Sequence, residues 1–179
     1  MAFEFVEVPA PGRGVRLALH PVTLDAFCAF LDASGRPRSP RLRRGRSGSA
    51  PVVEVSQEDA SAYCRWLGER EVRSYRLPGT AELQTLMEGA DGEEIDAGVW
   101  PQERGRMPEL RGGLKPHFLC EWTCETLEMP PSGTRPPKAL AILFYPPWLR
   151  EGSNVAHVHA SVSASEGYSF VTFRVACDG

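Results

Sequence analysis

Five cysteines, four histidines and scattered acidic residues are the groups in this 179-residue chain able to carry chemistry. His157 and His159 stand two apart. On a strand that spacing puts both imidazoles on one face, an arrangement that zinc, copper or iron sites use. A third ligand is then needed, and Glu151, Glu166 and His117 qualify only by type, so a polar strand face is the plainer reading. Cys120 and Cys124 look like a redox pair in HFLCEWTCET. Along a strand, however, four residues span ~13 Å, far beyond the ~7 Å between Cα atoms that a disulfide tolerates. They are expected as two buried thiols on one face with Phe118 and Trp122. Asp91, Glu93, Glu94 and Asp96 offer some of the roughly six to eight oxygens that calcium requires, with solvated acidic residues as the alternative. No glycine-rich phosphate loop with a lysine and hydroxyl occurs, and no G-x-S-x-G elbow surrounds the serines of the tail.

These groups need a frame, and its centre is residues 51–86. Ser56 is a good N-cap with Asp59 three residues on. Ala60, Tyr63, Cys64 and Leu67 then recur at helical spacing, with Trp66 widening the stripe, which predicts a helix near 57–70. Arg73 to Leu77 reads as a short extended segment, Pro78-Gly79 as a break, and Thr80 as the cap of a helix with Leu83, Leu86 and Met87 inward and Gly89 as its stop. Upstream, Phe3 to Pro9 and Val15 to Leu19 read as strands. Thr23 caps a helix near 24–34 whose stripe is Leu24, Phe27, Cys28, Phe30 and Leu31. Downstream, 118–124, Ala139 to Tyr145, Val155 to Val162 and Val171 to Ala176 read as strands. The expected core includes Phe27, Leu31, Tyr63, Trp66, Leu77, Trp122, Ile142 and Phe173.

Length fits one domain over 1–179, with a sizeable core. Residues 36–49 hold six arginines among Pro, Gly and Ser, and read as a flexible, solvated loop. No aromatic residue is interleaved there to stack on bases, and the formal net charge is −3, so nucleic acid is not an expected partner. No run approaches the ~18 apolar residues of a membrane helix, and Met1 to Val8 lacks the features of a secretory signal. An odd number of cysteines without framework spacing points to reduced thiols in a cytoplasm.

The run VEVSQEDASAYCRWLG followed by YRLPGTAEL resembles the formylglycine-generating (sulfatase-modifying factor) enzyme family. HPVTLDAFCAFLDASG, CEWT and the closing VTFRVA resemble further phrases of that family, in order, over nearly the whole chain. The resemblance implies an α+β, C-type-lectin-like fold: two main helices around a small twisted sheet, with much irregular structure. Departures are local. Gln57 stands for a tryptophan, Gly79-Thr80 and Leu83 for Thr-Glu and Trp, His117-Phe118 for Gly-Asn, and Cys120 for another tryptophan. Tyr145 to Trp148 (YPPW) replaces G-G-S-W, and Thr172 replaces the glycine of G-F-R. Several loops are trimmed.

The resemblance also implies an oxidase that holds copper by two cysteines between the G-G-S-W and G-F-R strands. No cysteine lies between Glu125 and Ala176, so that site is absent. The His-x3-His-x-Glu set of the iron-dependent sulfoxide synthases is absent too. No cofactor is expected, calcium being the alternative considered. Three functions follow: a non-catalytic module binding a protein or other ligand; an enzyme with a divergent site near His157 and His159; and the variable protein of a diversity-generating retroelement, whose binding residues precede a closing G-F-R-V-A segment. The first is favoured. Its recognition residues are expected in the late loops: Tyr145, Trp148, Arg150, Asn154, His157, His159, Tyr168 and Phe170. They include the aromatic and guanidinium groups enriched at interface hot spots.

Overall fold

A computed structural model describes residues 3–10, 13–42, 46–88, 119–129, 138–144 and 160–178. Strands β1 (Phe5–Ala10) and β2 (Arg13–Ala18) form an antiparallel pair. Helix α1 (Leu24–Ala33) begins where the Thr23 hydroxyl accepts a hydrogen bond from the Ala26 amide at 3.3 Å. Helix α2 (Gln57–Glu71) begins with the Ser56 hydroxyl accepting from the Asp59 amide at 3.0 Å. Both starts are N-caps that satisfy amides a helix otherwise leaves open. After α2 come β3 (Tyr75–Arg76) and α3 (Thr80–Glu88). Then follow β4 (Cys120–Met129), β5 (Lys138–Phe144), β6 (Ala160–Ser163), β7 (Val171–Thr172) and β8 (Ala176–Asp178).

These strands make two four-stranded sheets, ordered β1-β2-β8-β3 and β6-β5-β4-β7. The segment VTFRVA, expected as one closing strand, is divided between them. Val171–Thr172 pairs parallel to β4, while Ala176–Asp178 inserts antiparallel between β2 and β3. The crossing residues Phe173, Arg174 and Val175 are all buried, and the carbonyls of Phe173 and Val175 accept from the amides of Val22 and Ala18, both at 2.9 Å. These two buried carbonyls of the crossing are therefore satisfied although they belong to neither ladder.

Arg174 is the reason the crossing is closed. Its guanidinium grips Glu121 of β4 with Nε–Oε2 and Nη2–Oε1 distances of 2.6 and 2.5 Å. Its Nη1 donates to the carbonyls of Ala18 and Leu19 at 3.2 and 2.9 Å. With side chains 1% and 4% exposed, the two charges stand only because each is paired. The pair joins the second sheet to the end of β2 in the first.

Phe27, Phe30, Tyr63 and Phe173 form an aromatic cluster between α1, α2 and the crossing, with ring centroids 5.4–6.0 Å apart. Trp66 and Ile142, expected in the core, are half-buried. Trp66 lies at the margin of this cluster with the Arg70 guanidinium 4.6 Å from its ring, a cation–π contact at the solvent boundary. Ile142 lies between Ala141 and Leu143, which turn to the buried side of β5, so strand alternation directs it to the other face.

Cys124 departs from the simple strand pattern. Trp122 pairs with Leu143 and Thr126 with Ala141, so β4 advances four residues while β5 advances two. The resulting bulge breaks the alternation that would put Cys120 and Cys124 on one face. Cys120 is buried and Cys124 exposed. Gln57, in the place of a family tryptophan, secures the bulge. Its Nε2 donates to the carbonyls of Thr123 and Glu125 at 2.7 and 3.3 Å.

In the segment read as an arginine-rich loop, Arg36 pairs with Asp59 at 2.7 Å, Arg38 pairs with Asp32, and Leu42 is buried. These contacts tie the described part of that loop to both helices.

Two stability outcomes follow. Arg174→Met should lower unfolding free energy by about 3–5 kcal/mol, because it leaves the Glu121 carboxylate buried alone. Thr172→Val should stabilise by about 1 kcal/mol, since the Thr172 hydroxyl is buried without a hydrogen-bond partner and valine keeps its shape. Urea denaturation of both variants reads the two signs.

Candidate functional site

The recognition residues expected from the sequence fall into two groups. Tyr145, Trp148, Arg150, Asn154, His157 and His159 lie outside the described residues, as do the acidic candidates Asp91, Glu93, Glu94 and Asp96. The described strands fix where the first group is rooted. Leu143 of β5 pairs with Ala160 of β6, so the segment 145–159 leaves and re-enters the second sheet at one end, on adjacent strands. Tyr168 and Phe170 belong to the turn between β6 and β7 and are described in full.

That turn is clamped onto the segment before α2 and onto the first turn of the helix. The Glu54 amide donates to the Tyr168 carbonyl at 3.0 Å, and the Glu58 amide to the Ala164 carbonyl at 3.3 Å. Glu54 has φ of 62°, a left-handed conformation uncommon for a residue with a Cβ. Against it lies Gly167, where a Cβ would come within 2.4 Å of the Glu54 carbonyl group. Only glycine admits so close a backbone approach. Next to this clamp, the Trp122 indole donates to the Val55 carbonyl at 2.9 Å. The Tyr168 ring lies 6.0 Å from Trp122 and 5.6 Å from Phe170.

Tyr168 is therefore half wall and half surface. Its hydroxyl donates to Glu166 at 3.3 Å, and burial together with the Glu166 charge raises its ionisation above the usual phenol range. It stays a neutral donor across physiological pH. The Phe170 carbonyl accepts from the Cys120 amide at 2.8 Å, which fixes the end of the turn to β4. A residue so embedded contributes to stability as well as to any surface.

A second tie lies at the other end of the β4 bulge. Glu125 accepts from the Thr80 amide at 2.9 Å and from the Thr80 hydroxyl, placing a carboxylate at the start of α3, where the helix dipole favours negative charge. Glu82 accepts from the Gly79 amide at 2.7 Å and pairs with Arg76, which also meets Asp178 of β8 at 2.8 Å. Thr80 is thus the first helical residue, not the cap. The carboxyl of Glu82 is held below its usual range: burial works against this, and the Arg76 and Gly79 hydrogen bonds outweigh it.

The five cysteines differ in exposure. Cys28, Cys64, Cys120 and Cys177 are buried and Cys124 is exposed. Burial pushes the Cys64 thiol up to about 12, and burial beside Glu125 raises that of Cys124. Soft copper binds thiolates, which such environments disfavour at neutral pH. The pair closest in sequence, Cys120 and Cys124, is split by the bulge. Among the described residues, no group of three or more His, Cys, Asp and Glu converges on one point.

A family model, the sulfatase-modifying factor enzyme 1-like domain, matches residues 12–109. The chain belongs to this family. No curated protein sequence matches it. Among solved structures, the crystal structure of CarF aligns at 14% identity over 99% of this chain and 97% of that one, with TM-score 0.58. Treponema denticola variable protein 1 aligns at 14% identity over 100% and 94%, with TM-score 0.55. PvdO from Pseudomonas aeruginosa aligns at 15% identity over 100% and 93%, also with TM-score 0.55. At such identities these likenesses establish the fold, which is the α+β, C-type-lectin-like one of the sulfatase-modifying factor family. Among the described residues, no helix is long and apolar enough to cross a membrane.

The sequence reading of this family member noted Gln57 as a departure without foreseeing its partners, and missed Glu54, Glu125 and Gly167. Gln57 carried a usable signal, since a polar side chain in the place of a family tryptophan must find hydrogen-bond partners where it is buried. The positive φ of Glu54 carried none, because glutamate does not announce it.

Thiol titration checks the cysteine environments. The native protein should react with one equivalent of an aromatic disulfide reagent, at Cys124, and with the other four only after denaturation. The Cys124 rate should keep rising above the pH at which an ordinary exposed thiol levels off. Its raised ionisation leaves less thiolate at any given pH.

Proposed function

We propose that this protein is a non-catalytic binding module that uses its C-type-lectin-like scaffold to present the late loops to a protein or other ligand. The observation that carries the proposal is the clamp at Glu54, Gly167 and Trp122, which holds the 164–170 turn firmly against the segment leading into α2. Rigid bodies position recognition loops without having to bury their backbones. Pre-organisation of this kind lowers the entropy lost on binding. The absence of cysteine between Glu125 and Ala176 supports the same reading, because it removes the oxidase chemistry expected of the family's enzymes. The likeness to a protein named as a variable protein supports a special case of it, in which the late loops are the diversified surface of a retroelement product.

In this proposal Trp148 and Arg150 are the anchors, joined by Tyr145, Asn154, His157 and His159, with Tyr168 and Phe170 forming the supporting wall. A partner identified by affinity capture should bind the Trp148→Ala, Arg150→Ala variant more weakly by about 2 kcal/mol or more, with unchanged thermal stability. The Arg41→Ser, Arg43→Ser variant should bind like the parent protein. Loss of binding confined to the arginine variant would move the site to the 36–49 loop. The oxidase alternative has its own test. A cysteine-containing sulfatase peptide incubated with the protein and copper should show no aldehyde by mass spectrometry, and product above background would restore a catalytic role.

A further inference from the structure

We draw no further inference here: the strongest candidate, the open groove at the C-terminal end of α2 lined by Arg65, Glu69, Val72 and Arg73, carries nothing because nothing in the structure shows what covers it.

Discussion

A buried charge pair with good geometry is less a source of stability than a condition on it. Burying Arg174 and Glu121 costs desolvation that their attraction roughly returns, so the pair adds little against an apolar replacement. What it does is penalise every arrangement that separates them. The guanidinium also takes the two carbonyls at the end of β2 and thereby ties three chain segments, distant in sequence, to one point. The division of VTFRVA between two sheets places Arg174 at the crossing, from which it reaches both Glu121 and the end of β2. The aromatic cluster around Phe173 and Tyr63 packs on that crossing.

The helices were legible from the sequence because their signals are local. Ser56 and Thr23 are caps, and Ala60, Tyr63, Cys64 and Leu67 follow one period. The structure gives Leu24–Ala33 and Gln57–Glu71 where 24–34 and 57–70 were expected. The sheet pairing was not legible. No feature of ACD announces that it will lie between β2 and β3, since partnership in a sheet is decided by residues far away in the chain. The bulge in β4 shows the same limit within one strand. Alternation placed Cys124 with Cys120, while the carbonyl partners supplied by Gln57, 66 residues earlier than Thr123, allowed the register to slip.

For the site, residue type was legible and placement was not. The sequence shows that the oxidase cysteines are missing, which is a statement about composition between two landmarks. It also named Tyr168 and Phe170, whose half-buried packing makes them part of the framework from which a surface is built. Family membership is consistent with this division. The matched model and the fold neighbours share the frame, while the groups that would decide chemistry lie in the segments where this chain departs most from the family phrases.

The central position of β8 in the first sheet has a consequence for how the chain folds. Arg16 and Cys177 are neighbours across that sheet although 161 residues separate them. During synthesis at about 5–20 residues per second, β2 waits roughly 8–30 s for the strand that covers its inner edge. Over that interval the β1–β2 hairpin is a two-stranded piece, marginal alone and open to pairing with other chains. Contacts of such range also slow closure, because the loop must be ordered before the ladder repays it. Pro9 and Glu7 of the first strand are then features of the nascent chain as much as of the finished one: they make the waiting hairpin a poor template for aggregation.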